Sequence, residues 1–130
     1  AALLVDTVKA LGYEPEHVGD VESAKRSLGA REFGLVTVDG HLVDDEEGGI
    51  KILDFINRLP GPRRRSMYVA YISANLKTMD TGSAFIHGAN LTVNKGDAQR
   101  LEEILAKGIQ ERDELYRVFD EVTARVHCGE

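Results

Sequence analysis

Apolar positions along the chain switch repeatedly between a helix-like spacing and short continuous runs. The continuous runs at residues 34–38 (GLVTV), 67–72 (MYVAYI) and 91–93 (LTV) are rich in β-branched and aromatic residues, which predicts three buried strands. A shorter extended piece is expected around His17 and Val18. The chain therefore predicts four extended segments, of which the first is the weakest.

Helix-like spacings occupy the segments around these runs. Each predicted helix has a recognisable cap or stop signal, because Asp favours helix starts while Gly and Pro favour helix ends. Five helices are expected: Leu4, Val8 and Leu11 ending at Gly12; Val21, Ala24 and Leu28 capped by Asp20; Ile50, Leu53 and Ile56 or Asn57 ending before Pro60 and Pro62; Thr78 to His87 interrupted by Gly82; and a long helix capped by Asp97 that reaches Val126.

Helices and strands alternate strictly in this prediction. Such alternation indicates an α/β fold with a parallel sheet and helices on both faces. In open parallel sheets the functional groups lie at the carboxyl ends of the strands. We therefore examine the residues that directly follow each predicted strand.

Composition narrows the class of protein. The chain has 130 residues, with 16 Lys and Arg against 22 Asp and Glu, and 42% hydrophobic residues, which predicts one acidic globular domain. No apolar run approaches the roughly 20 residues that span a bilayer, and the start does not resemble a signal peptide. The acidic balance and the lack of Trp argue against general nucleic-acid binding. The single cysteine, Cys128, indicates a reducing, cytoplasmic setting.

Three polar residues follow three of the predicted strands. Asp39 follows GLVTV, Ser73 follows MYVAYI, and Lys95 comes two residues after the strand at 91–93. A carboxylate at such a position can accept a phosphoryl group, while a hydroxyl and an ammonium group can bind the phosphoryl oxygens. Each residue alone is common in turns or on surfaces, so the prediction of a phosphoryl site rests on all three together.

The chain resembles the receiver domain of bacterial response regulators over residues 1–107. The resemblance rests on short motifs at the expected places, and Lys95 follows Ser73 by the 22 residues usual in receivers. These motifs are Gly12-Tyr13-Glu14 after the first helix, Asp39 at the end of LVTVDG, Gly48-Gly49 before the third helix, Ser73-Ala74, Gly88-Ala89 and Lys95.

This resemblance implies a flavodoxin-like (receiver-like) parallel sheet sandwiched by helices, with an extended C-terminal helix. It implies a bacterial, cytoplasmic signalling domain of a two-component or phosphorelay system, with Asp39 as phospho-acceptor and Ser73 and Lys95 in contact with the phosphoryl group. Mg²⁺ would be needed for phosphorylation, with Asp39 among its ligands. The implied partners are a histidine kinase or a downstream signalling protein, with no membrane and no direct nucleic-acid binding.

Several positions depart from the receiver pattern. The usual first strand with its pair of metal-binding acids is expected to be absent from the sequence or supplied by another chain, although ALLV with Asp6 offers a competing assignment. The lysine is followed by Gly96 rather than Pro, and Thr92 stands where receivers often carry an aromatic switch residue. An acidic loop at residues 44–47 could supply oxygen ligands for Mg²⁺, or it could be a solvated loop. Both a working receiver and a non-phosphorylated pseudo-receiver therefore remain open.

The last helix extends past what a receiver needs, so residues 108–130 are predicted to be an extension. Its apolar positions recur at heptad-like spacing, which favours either a core stripe or a homodimer seam. A structural dimerisation module is thus the alternative function. The seam residues are Leu115, Phe119, Val122 and Val126.

An enzyme is not expected, because phosphate-binding glycine loops and nucleophile elbows are absent. The basic run Arg63 to Arg65 could bind an acidic partner, or it could be solvated.

Overall fold

A computed structural model describes residues 7–39, 47–73 and 77–128 of the chain. The side chains of Asp39, Thr81, His87, Ala98 and residues 119–128 lie outside this description. The predictions that concern Leu4, ALLV with Asp6 and the acids at 44–46 also lie outside the described residues.

The elements follow the predicted order with adjusted bounds. Residues 7–10 are helical and end in a turn at Gly12, which has a φ of 89°. The remaining elements are α1 (Val21–Ala30), β1 (Leu35–Asp39), α2 (Gly48–Asn57), α3 (Gly61–Arg65), β2 (Tyr68–Ser73), α4 (Thr81–His87), β3 (Leu91–Asn94), a 3₁₀ helix (Lys95–Arg100) and α5 (Leu101–Cys128).

Three parallel strands form the sheet in the described part of the chain, in the order β1-β2-β3. Leu35 pairs with Tyr68 and Asp39 with Ile72, while Ala70 pairs with Leu91 and Ser73 with Asn94. All three strands therefore end at the same edge of the sheet. The prediction of a parallel α/β sheet is confirmed.

The core lies on both faces of the sheet, because β2 is buried along its whole length. Val69 and Tyr71 pack with α1 and α2 on one face, and Ala70 and Ile72 pack with α5 on the other. This two-sided burial explains why MYVAYI reads as a continuous apolar run rather than as an alternating one.

Four local predictions are wrong. Residues 13–19 form no strand, because no described strand lies beside them to pair with, although the Val18 side chain still packs on the core. Ile50 is 49% exposed, because Ile52, Leu53 and Ile56 form the buried face of α2. Helix α4 begins at Thr81 rather than Thr78, because Asp80 caps it. Asp97 is not the cap of the long helix.

The cap position of the last helix differs because a 3₁₀ turn comes first. Asp97 lies inside the 3₁₀ helix, and its carboxylate accepts a hydrogen bond from the Thr78 hydroxyl. Helix α5 then runs without interruption from Leu101 to Cys128, through the predicted boundary at residue 107. The division into a receiver-like part and an extension stays a prediction. In the described residues no helix is long and apolar enough to span a bilayer.

Candidate functional site

The candidate site is the edge of the sheet where the three parallel strands end. Asp39 is the last residue of β1, Ser73 the last of β2, and Lys95 directly follows the last residue of β3. The strand register sets Asp39 beside Ile72 and Ser73 beside Asn94. We call Asp39, Ser73 and Lys95 the strand-end rim. The backbone thus brings the three predicted residues to one edge, as their positions after buried strands indicated.

Ser73 and Lys95 differ in their exposure to solvent. Ser73 is only 5% exposed, and Lys95 is exposed at the start of the 3₁₀ helix. Both the hydroxyl and the ammonium group are hydrogen-bond donors, and the ammonium group adds a positive charge. This combination suits binding of a phosphoryl group.

Most of the side chains that would bind a metal ion lie outside the described part of the structure. The Asp39 carboxylate and the acids at positions 44–46 are among them, while Glu47 is described and lies exposed at the start of α2. Among the residues that the structure describes, no three His, Cys, Asp or Glu side chains cluster as a metal site would require. The Mg²⁺ requirement therefore stays a prediction.

Thr92 has an environment that an aromatic switch residue would not have. Its side chain is 0% exposed, and its hydroxyl donates to the carbonyl oxygen of Lys77 at 2.8 Å. The same hydroxyl accepts from the Asp80 backbone N–H at 3.2 Å. A small β-branched residue fits this buried position and fixes the chain that leads into α4.

Two of the three arginines in the basic run have structural partners. Arg63 donates to the carbonyl oxygens of Leu28, Gly29 and Arg31, at the C-terminal end of α1. A helix ends with unpaired carbonyl groups, so these bonds complete α1. Within the described residues, then, Arg63 acts as a cap for α1.

Arg64 joins three elements on the side of the sheet opposite the strand-end rim. Its guanidinium donates to the Gly88 carbonyl oxygen at 2.8 Å, to Asn57 Oδ1 at 3.2 Å and to Asn90 Oδ1 at 3.3 Å. Asn90 Oδ1 also accepts from the Val69 backbone N–H at 2.8 Å. Burial lowers the pKa of Arg64. Sequence reasoning missed this network, because a charge run on its own gives no information about its partners.

A cleft of about 320 Å³ lies between α4 and α5, and sequence reasoning missed this as well. Tyr68 forms part of its wall, and the Arg112 guanidinium lies 5.5 Å from the Tyr68 ring centroid and 5.8 Å from that of Tyr116. Burial, and then the charge of Glu111, raise the pKa of Tyr68 to about 12, while Arg112 acts in the opposite direction. The feature of the sequence that could have indicated this cleft is Tyr68, a tyrosine at the start of a buried strand.

The residues of the predicted dimer seam lie on α5. Leu115 is 65% exposed and borders the cleft, so it is not a core residue of the described part of the chain. Phe119, Val122 and Val126 lie in the same helix, but their side chains are outside the description. The seam stays a prediction.

Comparisons with known proteins support the fold. A scan against protein-family models gave no match, and a search of curated proteins gave none either. A solved structure with high similarity is the signal receiver domain of a protein named as a Luxo repressor, from Vibrio parahaemolyticus. The match has a TM-score of 0.66 and 22% sequence identity, and it covers 90% of this chain and 86% of the other. The resemblance found in the sequence is thus confirmed in the structure: the chain has the fold of a signal receiver domain.

Proposed function

We propose that this chain is a receiver-like signalling domain that acts through contacts with other proteins. The observation that carries the proposal is the strand-end rim, where Asp39, Ser73 and Lys95 follow three adjacent parallel strands. The similarity to a receiver fold supports it. The domain is not an enzyme in this proposal, since its own side chain receives the transferred group.

Asp39 is the proposed phospho-acceptor. A carboxylate oxygen of Asp39 attacks the phosphorus of the phosphoryl group that a histidine kinase carries, and the bond from phosphorus to the kinase histidine breaks. Ser73 then donates a hydrogen bond to a phosphoryl oxygen, and Lys95 pairs with the negative charge. Bound Mg²⁺ would neutralise the charge that develops on the phosphoryl oxygens.

The test uses the labelled chain with Mg²⁺ and beryllofluoride, a mimic of the phosphoryl group. We expect saturable shifts of the backbone amide signals at the strand-end rim. Asp39→Asn should abolish them, whereas Asp54→Asn, which changes an exposed carboxylate on α2, should leave them unchanged. A well-dispersed amide spectrum of each variant shows that it is folded.

A non-phosphorylated pseudo-receiver or dimerisation module is the second candidate. Two observations favour it: Thr92 is buried and hydrogen-bonded at the position where receivers often carry an aromatic switch residue, and Leu115 is 65% exposed on the long α5. Lack of any saturable shift at Ser73 and Lys95 in a folded chain would contradict the phospho-acceptor proposal and favour this second candidate.

A further inference from the structure

Helix α4 has few contacts of its own with the rest of the protein. It has seven residues, and among its described side chains only Ala84 is buried, at 7% exposure. Phe85 and Ile86 are 88% and 78% exposed. The position of α4 therefore depends largely on the segments at its two ends. Residues 77–80, which we call the strap, form its N-terminal connection.

One end of α4 is fixed because the strap lies along β3, on the side away from β2. The Met79 backbone N–H donates to the Thr92 carbonyl oxygen at 2.8 Å. The Thr92 hydroxyl binds the backbone of Lys77 and Asp80, as described above. Asp80 then caps α4 by accepting from the Gly82 and Ser83 backbone N–H groups, and these bonds lower its pKa.

A second attachment joins the strap to the turn that carries Lys95. The Thr78 hydroxyl donates to the Asp97 carboxylate and accepts from the Asn94 backbone N–H at 3.0 Å. Asn94 and Asp97 lie on either side of Lys95 in the sequence. One hydroxyl group thus holds both flanks of the turn, and the turn cannot shift far without moving or breaking these bonds.

The backbone of the strap is held in an unfavourable conformation. Met79 has a φ of 60°, in the left-handed region that is unfavourable for a non-glycine residue. Such a conformation persists only where surrounding bonds enforce it, and it favours rearrangement once they are released. The hydrogen bonds of Thr78, Met79 and Asp80 therefore hold the strap in this conformation.

We infer that Thr78 is a positioning residue that couples the Lys95 turn to α4. A shift of Lys95 toward a bound anion would move Asn94 and Asp97, and the Thr78 bonds would pass that movement through the strap to α4. The inference deepens the proposed function and rests on it for the role of Lys95. The coupling itself is a property of the unmodified chain, so it can be measured without any phosphoryl mimic.

The first experiment measures native-state hydrogen exchange of the α4 backbone amides. Thr78→Val removes the hydroxyl but keeps the shape, and Asp97→Ala removes the partner at the other end of the same bond. We expect either change to speed α4 exchange by about tenfold, and the double variant to be no faster than the single ones. Thr78→Ser should restore slow exchange. Thr37→Val, the same change on β1, is the matched control and should leave α4 exchange unchanged.

Two outcomes would overturn the coupling. One is unchanged α4 exchange in Asp97→Ala, which would mean that Thr78 acts only within the strap. The other is additive acceleration in the double variant, which would mean that the two residues act separately. Because Asp97→Ala and Thr78→Ser alter the strap mildly or not at all, the test still decides if Thr78→Val fails to fold.

A second measurement separates this inference from the proposed function. With Mg²⁺ and beryllofluoride, the wild-type amides of both the strand-end rim and α4 should shift, while Thr78→Val should shift at the rim alone. Lack of rim shifts in the wild type contradicts the proposed function, and the exchange experiment then still decides the coupling. Rim and α4 shifts that both persist in Thr78→Val contradict the coupling.

Discussion

Gly88 ends α4 in a conformation that suits glycine. Its φ is 69°, and a Cβ atom there would lie 2.2 Å from Asn57 Nδ2. Its carbonyl oxygen also accepts from Arg64. Gly12 has a similar φ of 89°, but no atom lies within 4 Å of the place where its Cβ would be. Substitution of Gly12 therefore tests the energetic cost of the backbone conformation alone, whereas substitution of Gly88 adds the cost of a steric clash.

We expect Gly88→Ala to lower the free energy of unfolding by about 1–3 kcal/mol, more than Gly12→Ala does. Urea denaturation of both variants measures the difference. In an Asn57→Ala background, Gly88→Ala should cost less stability than it does in the wild type, because the clashing amide is gone. Equal losses in the two single variants would contradict a clash at Gly88.

At the scale of elements, α1 and α4 both begin at an aspartate. Asp20 accepts from the Ser23 backbone N–H at 2.7 Å and from the Ser23 hydroxyl at 2.9 Å. These bonds, the backbone one first, lower the pKa of Asp20 below its usual 3.8. A lowered pKa in the folded state means that the carboxylate stabilises the fold above pH 3.8, and that this stabilisation is lost as pH falls through the folded-state pKa.

Asp20→Asn should therefore destabilise the protein by an amount that depends on pH. We expect the difference in free energy of unfolding between wild type and variant to be constant near neutral pH and to shrink as pH falls below 3.8. Thermal unfolding monitored by circular dichroism across this range provides the measurement. Glu114→Gln, at an exposed position on α5, is the control. A difference that does not change with pH would contradict the cap.

Helix α3 is a short element that links its neighbours through side chains. Arg63 caps α1, and Arg64 joins α2, the end of α4 and the residue before β3. Arg65 is exposed and takes part in neither network in the described part of the chain. Three consecutive arginines thus offer matched variants within one five-residue helix.

Among single alanine variants of this run, Arg64→Ala should cost the most stability. We expect a loss of about 1.5–3 kcal/mol for Arg64→Ala, because a half-buried charged donor that bonds to several acceptors is removed. The loss for Arg63→Ala should be smaller, and Arg65→Ala should change the free energy of unfolding by less than about 0.5 kcal/mol. Urea denaturation of the three variants checks the order. Equal losses would contradict the assignment of Arg64 as a structural residue.

On the scale of the whole molecule, α5 presents apolar side chains beyond the core. Leu101, Ile104 and Leu105 pack on the sheet, but Leu115 and Val118 are 65% and 52% exposed. Packing against a second copy of the helix would remove these side chains from water. The proposed homodimer seam accounts for the exposure without requiring phosphorylation.

The combined variant Leu115→Asp, Phe119→Asp should halve the mass measured by sedimentation equilibrium, because charges in an apolar seam separate the two copies. Gln110→Asp, on the other side of the helix, should leave the mass unchanged. A wild-type chain that sediments as a monomer, or a double variant with the wild-type mass, would contradict the seam.

The sequence by itself determined the main architecture. Two-sided burial makes β2 a continuous apolar run, and Asp20 and Gly12 mark a helix start and a helix end locally, so these features could be predicted. The places of Asp39, Ser73 and Lys95 at one edge follow from the strand ends and the parallel order.

Only the tertiary structure decided what depends on distant partners. Arg64 has its structural role because Gly88 and Asn90 come close to it in space, and Thr78 meets Asp97 across 19 residues of sequence. Residues 13–19 form no strand because a strand needs a neighbour, which local spacing cannot supply. The local sequence pattern indicates which residues of a segment are buried and where helices are capped. Which segments contact each other is decided by the packing of the whole chain.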